Sequence, residues 1–250
     1  MTEIPKSHPR YASLALREKL VEGFRAGIVV PQGLIAHGRG EMFDYVLGEQ
    51  STKEARAAAH AAAALLLTAK NPVISVNGNV AVLCAGEVVR LSRACKAKIE
   101  VGLFHRTDER VSKIQKLLQD NGAREVLGFL PDARLPGIDH LRGLCSKDGI
   151  FSADVVLVPL EDGDRVHALA SMGKKTIAID LNPMSRTARA ATVTIVDEVT
   201  RAIPEIIRSI EDIEGDPNAA KLALAKYDRD ENLRAVAERI KGNLDRFLKK

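Results

Sequence analysis

From residue 73 onward, short apolar runs alternate with stretches of helical periodicity, and this alternation constrains the fold more than any other feature. The runs predict six strands, at residues 73–76, 99–104, 125–127, 155–159, 176–179 and 193–196. Apolar strands separated by helices are typical of a parallel sheet covered on both faces. We therefore predict an α/β fold with a mostly parallel sheet and helices on both of its faces. Residues 131–152, with their prolines and glycines, are expected to form an irregular excursion from the sheet.

Helical segments flank the predicted sheet on both sides. Before it, Ser7 is expected to cap a helix with Pro9 as its second residue, and residues 31–49 to form a loop and a short helix. Residues 51–54, "STKE", read as a capping box that opens an alanine-rich helix. The predicted division is an N-terminal helical segment (1–72), a nucleotide-binding core (73–213) and a C-terminal helical tail (214–250). In the tail an apolar stripe repeats at helical spacing, at Leu233, Val236, Ile240, Leu244 and Phe247.

Composition narrows the class of protein. The formal net charge is +4, but residues 216–250 hold nine Lys and Arg against six Asp and Glu, so the rest is nearly neutral. With aromatic residues at only 4%, nucleic acid is a weak candidate partner. Three widely spaced cysteines indicate reduced thiols. The first ten residues lack a signal-peptide core and the apolar run at 61–67 is too short to cross a bilayer, so we expect a cytoplasmic protein without a membrane partner.

Polar clusters follow five of the six predicted strands, where open parallel sheets bind their ligands. They are Asn77-Gly78-Asn79, His105-Arg106-Thr107, Glu161-Asp162-Gly163-Asp164-Arg165, Asp180-Leu181-Asn182 with Arg186-Thr187, and Asp197-Glu198. Arginine forks at 106, 165 and 186 match phosphate and carboxylate oxygens, and the acids at 161, 162 and 164 suit Mg²⁺. For any single loop, solvated ion pairs are an equal alternative. The coincidence across loops favours a crevice for an anionic ligand.

Common nucleotide motifs are absent: the sequence has no GxxxxGK[ST] loop, no GxGxxG after a strand and no GxSxG elbow. P-loop enzymes, ordinary Rossmann dehydrogenases and α/β-hydrolases are therefore disfavoured. An NAD(P)-linked oxidoreductase on a nonstandard sheet and a nucleotide sensor that does not split ATP stay open as alternatives.

A series of longer motifs carries a family resemblance: "IPKSHPRYASLALREKLVEG", "GLIAHGRGEMFDY", "NPVISVNGN", "LFHRTDERV", "DVVLVPLEDGDR", "AIDLNPMSRTARAA" and "TIVDEVTRAIP". In this order, from about residue 4 to residue 210, they resemble the archaeal 4-phosphopantoate–β-alanine ligases, also called phosphopantothenate synthetases. The resemblance implies a Rossmann-like homodimer. It also implies conversion of ATP, 4-phosphopantoate and β-alanine into AMP, diphosphate and 4'-phosphopantothenate in coenzyme A biosynthesis.

The resemblance also assigns the ATP contacts of the family to positions of this chain. These are Arg17, Arg39, Asp180, Leu181, Asn182, Arg186, Thr187, Glu198 and Val199. The last pair departs from the Asn-Ile expected in the family. If that contact uses backbone groups the change is harmless, whereas a contact through the Asn side chain would require different local geometry.

Roles for the remaining polar residues are hypotheses built on that reaction. A carboxylate must be activated as an acyl-adenylate before an amine attacks it, and Arg17, Arg39 and Arg186 with Mg²⁺ are expected to stabilise the charge on the phosphates. The N-terminal helices must then fold over the crevice, from the same subunit or its partner. For the phosphate of 4-phosphopantoate the candidates are His37, Asn77, Asn79, His105 and Arg106. Asp162 or Asp164 is a candidate base for the β-alanine amine, with Mg²⁺ binding or helix capping as equal alternatives.

Overall fold

Ten α-helices and seven β-strands form the part of the chain that the computed structural model describes, residues 4–249. The N-terminal half contains α1 (Tyr11–Arg25), α2 (Pro31–Leu47), α3 (Lys53–Thr68), β1 (Pro72–Val76), α4 (Gly78–Cys95), β2 (Lys98–Val101) and α5 (Asp108–Asp120). The C-terminal half contains β3 (Ala133–Arg134), β4 (Leu144–Cys145), β5 (Val155–Pro159), α6 (Gly163–Ser171), β6 (Lys175–Ile179), α7 (Arg186–Ala190), β7 (Val193–Ile195), α8 (Val199–Ile213), α9 (Pro217–Lys226) and α10 (Arg229–Leu248).

The central sheet has five strands in the order β2-β1-β5-β6-β7, and all neighbouring pairs are parallel. Side chains alternate between its faces, as strand geometry requires. Ile74 and Leu157 point into a core shared with α3, α4 and α8, whereas Val73 and Val156 point into a second core with α6 and the 131–152 excursion. The predicted parallel sheet, covered on both faces, is confirmed.

One predicted strand is absent, and another is shorter than predicted. Residues 125–127 form no strand and contribute only an isolated parallel bridge between Glu100 and Leu127. Strand β2 ends at Val101 and not at 104. The next residue, Gly102, lies against the buried Arg165 guanidinium, where a Cβ would come within 2.5 Å of Nη1. The excursion, predicted to be irregular, holds only the two-residue antiparallel pair β3 and β4 and short helical turns.

The N-terminal helices begin at other residues than expected. Helix α1 starts at Tyr11 after a turn in which the Arg10 amide donates to His8 Nδ1 at 3.0 Å, so Ser7 caps nothing there. Residues 31–47 form one continuous helix, α2, with Pro31 in its first turn and Gly48 ending it at φ +98°. This helix is unbroken by its glycines because tertiary contacts support it along its length.

The predicted capping box does not form, although the alanine-rich helix that it was expected to open is present as α3. Thr52 caps α3 by accepting from the Ala55 amide at 3.1 Å. Ser51 donates instead to Asp197, and Glu54 instead pairs with Arg239 of α10 at 2.9 Å. Longer-range partners therefore take the side chains that a local box would have used.

The C-terminal helices cover the β7 edge of the sheet. Tyr227 Oη accepts from the Thr194 amide at 3.1 Å and donates to the Thr194 carbonyl at 3.3 Å. Within the predicted stripe, Leu233 and Val236 are buried, whereas Leu244 and Phe247 are exposed. No described helix is both long and apolar enough to span a bilayer. The predicted boundaries at 72 and 213 lie beside element ends, and the three-part division stays a prediction.

Candidate active site

The candidate site lies at the carboxyl edge of the sheet, where the strand order reverses between β1 and β5. Asn77 joins the two strand ends: its Nδ2 donates to the carbonyls of Pro159 (3.2 Å) and Leu160 (3.1 Å), and its Oδ1 accepts from Val80 at the start of α4. Leu160 has φ +53°, which is uncommon for a residue other than glycine. The side chain of Asn77, a predicted substrate contact, thus links the carboxyl ends of β1 and β5 to the start of α4.

Helix α2 crosses the carboxyl edge from β1 towards β7. Near the start of α2, the Gly33 carbonyl accepts a hydrogen bond from Asn79 Nδ2 of α4 at 2.9 Å. Further along, a Cβ at Gly40 would lie 3.5 Å from Leu181 Cδ1, after β6, and Asp44 pairs with Arg201 of α8 at 2.5 Å. The N-terminal segment therefore folds over the crevice of the same chain, which brings His37 and Arg39 to this edge.

Arg39 lies beside the loop after β6. Its charge favours the ionised form of Asp180, whose pKa is nevertheless raised because the carboxyl group is buried. Asp180 accepts from Ser185 Oγ and from the Asn182 amide at 2.9 Å, and Asn182 Oδ1 accepts from the Met184 amide. Three predicted nucleotide contacts, Asp180, Leu181 and Asn182, thus form one tightly bonded turn beneath α2.

The loops after β5 and β6 meet at the starts of α6 and α7. A Cβ at Gly163 would lie 2.6 Å from Arg186 Cβ, and Thr187 Oγ1 donates to the Glu161 carbonyl at 2.8 Å. Arg186 pairs with Asp164 at 3.0 Å, and both side chains are about two-thirds exposed. The predicted residues at 164, 186 and 187 therefore share one rim of the crevice, with a cation and a carboxylate open to solvent.

Arg17 is already engaged in an ion-pair cluster between α1 and α2. Its guanidinium contacts the buried Glu41 at 2.7 Å, and Arg10 contacts the same carboxylate at 2.8 Å. Burial opposes ionisation of Glu41, but the hydrogen bonds and charges of the two arginines outweigh it and lower its pKa. Near this cluster the half-buried His37 has a pKa lowered by burial, so its neutral form is favoured.

The departure from the family pattern at Glu198 and Val199 lies at the start of α8. Glu198 caps this helix, with its Oε2 accepting from the Thr200 amide at 2.7 Å and from the Thr200 hydroxyl. Burial raises the pKa of this carboxyl. Asparagine is also a favoured cap residue, so the substitution preserves the capping role while it adds an acid.

The residues after β2 are held mainly by backbone carbonyls. Arg106 donates to the Gly128 and Phe129 carbonyls at 2.7 and 2.9 Å. The exposed His105 ring lies beside the Phe104 ring, with 4.9 Å between the two ring centroids. Arg106 thereby anchors the 128–129 loop. Its use in phosphate binding stays a prediction.

Two arginines form a buried network beneath the crevice. Arg165, which was expected to offer its fork to an anionic ligand, is fully buried and donates to Ser75 Oγ at 2.9 Å and to Glu161 at 2.7 Å. Arg142 contacts Glu161 and also Asp162. Sequence reasoning missed Arg142 because it comes from the aperiodic excursion, where only proximity in space reveals its partners.

Carboxylates at the crevice are mostly paired with arginines. Within residues 4–249 no three His, Cys, Asp or Glu side chains converge as a metal site. Asp162 and Asp164, the predicted Mg²⁺ ligands, contact Arg142 and Arg186 respectively.

The fold is that of an α/β protein of the doubly wound class, and the candidate site lies at the carboxyl edge of its parallel sheet. The model of the phosphopantothenate/pantothenate synthetase family matches residues 54–243, and the chain belongs to that family. The match includes most of the C-terminal tail, so the likeness extends beyond the motifs that first indicated it.

Several curated relatives carry the name 4-phosphopantoate–β-alanine ligase. The protein from Methanospirillum hungatei is 58% identical over 85% of this chain and 87% of its own length. That from Thermococcus kodakarensis is 47% identical over 99% of this chain and 95% of its own. That from Methanosarcina mazei is 52% identical over 96% and 94%.

Proposed function

We propose that this protein is an ATP-dependent ligase that joins 4-phosphopantoate to β-alanine, giving 4'-phosphopantothenate, AMP and diphosphate for coenzyme A biosynthesis. The observation that carries the proposal is the likeness to relatives of that name over nearly the whole chain, 99% in one case. Their ligase name also disfavours an NAD(P)-linked oxidoreductase and a nucleotide sensor. Each of those alternatives is an outcome of the test below.

The reaction proceeds through an acyl-adenylate. A carboxylate oxygen of 4-phosphopantoate attacks the α-phosphorus of ATP, and diphosphate leaves. The amine of β-alanine then attacks the acyl carbon, the bond between that carbon and the AMP oxygen breaks, and the amine loses a proton. Fixed cations assist the first step because negative charge shifts onto the leaving phosphates.

The nucleotide is assigned to the part of the crevice between α2 and the loops after β6 and β7. Arg39 above and Arg186 on the rim supply positive charge, and the turn at 180–182 supplies a shaped floor. Arg17 needs to exchange part of its bonding with Glu41 for a phosphate, since its side chain is 47% exposed but paired. Glu198 and Val199 flank this region from the start of α8.

Mg²⁺ is proposed to accompany ATP and to neutralise phosphate charge when bound. Such an ion takes one or two protein carboxylates and completes its shell with phosphates and water, so a three-residue cluster is not required. Asp164 fits best because it is exposed and its pair with Arg186 is also exposed. Asp162 is the second candidate, although Arg142 already contacts it.

The acyl substrate and β-alanine are assigned to the switch point and its β2 side. Among the predicted phosphate contacts, the side chains of Asn77, Asn79 and Arg106 are bonded to backbone carbonyls. The half-buried His37 and the exposed His105 are therefore the favoured contacts. Asp162 faces the β-alanine amine, as an acceptor for its proton or an anchor for its charge.

A homodimer is proposed as the assembly. Ile35, Met42 and Tyr45 repeat at intervals of seven and three along α2 and are 73%, 61% and 57% exposed. An apolar stripe of this kind is typical of a subunit interface. Because α2 covers the crevice of its own chain, we expect a mixture of Arg39→Ala and Arg186→Ala chains to recover no activity. Recovery would place the two arginines of one site on different subunits.

We propose a cytoplasmic location for the enzyme. Its function is tested by an AMP-release assay with ATP and Mg²⁺, to which the two substrates are added singly and together. We expect AMP in step with 4'-phosphopantothenate only when all are present, and little product from unphosphorylated pantoate. No AMP in any combination would contradict the ligase and favour a sensor. A saturable change in NAD(P)H fluorescence, with ATP ignored, would favour the oxidoreductase.

A further inference from the structure

Arg142 belongs to the excursion of residues 131–152, and its buried side chain lies at the switch point between β1 and β5. Its guanidinium contacts the carboxylates of Glu161 and Asp162, and only 8% of its side chain is exposed. We propose that Arg142 is a positioning residue of the active site, which acts on the reaction by holding Asp162 in the crevice. This inference rests on the ligase function proposed above.

The two carboxylates depend on Arg142 to different degrees. Glu161 is 6% exposed and is bonded a second time by the fully buried Arg165 at 2.7 Å. Asp162 is 59% exposed, and Arg142 is its only ion-pair partner among the residues that the structure describes. Removing Arg142 therefore leaves Glu161 held and releases Asp162 to solvent.

Arg142 is itself fixed before any ligand arrives. Its guanidinium carbon lies 5.4 Å from the centre of the Phe104 ring, and the His140 ring stacks on Phe104 at 4.3 Å between centroids. A cation over an aromatic face is attracted to it, and more strongly when desolvated. The excursion thus presents a guanidinium of fixed orientation, and a planar fork can bridge two carboxylates that a lysine cannot bridge in the same way.

Holding Asp162 matters because a carboxylate that meets a substrate amine must be placed closely. A misplacement of about 1 Å in an active site can cost about 10²-fold in rate. Loss of a residue that orients a functional group typically costs about 10- to 100-fold. We assign Arg142 an effect in that range, expressed in the kinetics for β-alanine.

The test compares Arg142→Gln, Arg142→Lys, Asp162→Asn and the double variant Arg142→Gln/Asp162→Asn with the unaltered protein. Three readouts are taken: kcat and KM for β-alanine, ATP affinity without β-alanine, and the thermal midpoint. Arg208→Gln is the control, because it removes an Arg–Glu pair on α8 that lies outside the site and whose arginine side chain is 62% exposed.

We expect Arg142→Gln to reduce kcat/KM for β-alanine about 10- to 100-fold, while ATP affinity stays close to that of the control. Arg142→Lys should recover part of the loss because it keeps the charge without the fork. In the Asp162→Asn background, Arg142→Gln should add little, because its effect passes through the group already removed.

Normal kinetics in Arg142→Gln would overturn the inference, as would losses of Arg142→Gln and Asp162→Asn that multiply in the double variant. A fall of ATP affinity and β-alanine kinetics by the same factor would indicate a general structural role and overturn it too. If Arg142→Gln fails to fold, the kinetics of Arg142→Lys test the role instead. Normal kinetics in Arg142→Lys would refute the role, and a reduced kcat/KM for β-alanine with unchanged ATP affinity would support it. Product formation by the unaltered protein is measured first, and its absence would overturn the ligase function and this inference with it.

Discussion

Replacing Arg165 by methionine tests whether the buried network beneath the crevice stabilises the fold. Arg165 is fully buried and its Nη1 bonds both Ser75 and Glu161, so Arg165→Met leaves a buried carboxylate with one cation fewer. Removing one partner of a buried pair typically costs about 3–5 kcal/mol. Among residues 4–249, Nε and Nη2 of Arg165 have no hydrogen-bond partner, and their removal relieves a penalty that offsets part of this loss.

These opposing contributions give an expected loss of about 3 kcal/mol in the free energy of unfolding. For a chain of this size that loss lowers the thermal midpoint by roughly 6–12 °C. Urea unfolding followed by circular dichroism measures the change, provided that the slope with denaturant is the same for both proteins. Arg208→Met, which removes a pair between an arginine that is 62% exposed and Glu205, should change the free energy of unfolding by no more than about 1 kcal/mol.

The double variant Arg165→Met/Glu161→Gln separates the ion pair from simple packing. It should be less destabilised than the sum of the single variants, because each single change leaves a partner behind in the interior. An Arg165→Met protein as stable as the Arg208→Met control would refute the reasoning. Strictly additive losses would show that the two side chains do not act together.

Three further outcomes are expected from other parts of the chain. Gly163→Ala should weaken ATP binding in calorimetric titration, because its Cβ would lie 2.6 Å from Arg186 Cβ; unchanged affinity would separate this rim from the nucleotide. Tyr227→Phe should cost about 1–2 kcal/mol in urea unfolding with activity unchanged, since Thr194 loses two hydrogen bonds; a loss of activity would contradict this. Glu41→Gln should lower the free energy of unfolding at neutral pH, because the pKa of Glu41 is depressed in the folded protein. The stability that Glu41 contributes is fully present above its unfolded pKa and is lost as pH falls through its folded pKa. Urea unfolding at a series of pH values should therefore show the stabilities of the two proteins converging in acid.

The sheet was predictable because its signal is local. Continuous apolar runs such as 155–159 are fully buried in the structure, and periodicity identified them without knowledge of their neighbours. The run at 125–127 failed because it is short and lies beyond the edge strand β2, where one bridge replaces a ladder. The strands were therefore predicted correctly where every residue of the strand is buried.

The N-terminal segment and the site network depend on distant partners. Residues 31–49 were expected to form a loop and a short helix, yet α2 is continuous and its glycines lie against distant residues: a Cβ at Gly33 would lie 2.4 Å from Asn79 Oδ1, and one at Gly40 would lie 3.5 Å from Leu181 Cδ1. Arg142 had no pattern to identify it, since its neighbours in sequence are irregular and its partners lie about twenty residues away. Polar residues at strand ends indicated where a ligand crevice is expected, but the partners of each side chain are set by the folded chain.

The route of one oxygen atom tests the proposed chemistry most directly. With ¹⁸O in the carboxylate of 4-phosphopantoate, formation and breakdown of an acyl-adenylate transfers one labelled oxygen to AMP. Mass spectrometry of the products after complete conversion is expected to find that label in AMP and none in diphosphate. Label in inorganic phosphate with ADP as the nucleotide product, or AMP without label, would contradict the acyl-adenylate route.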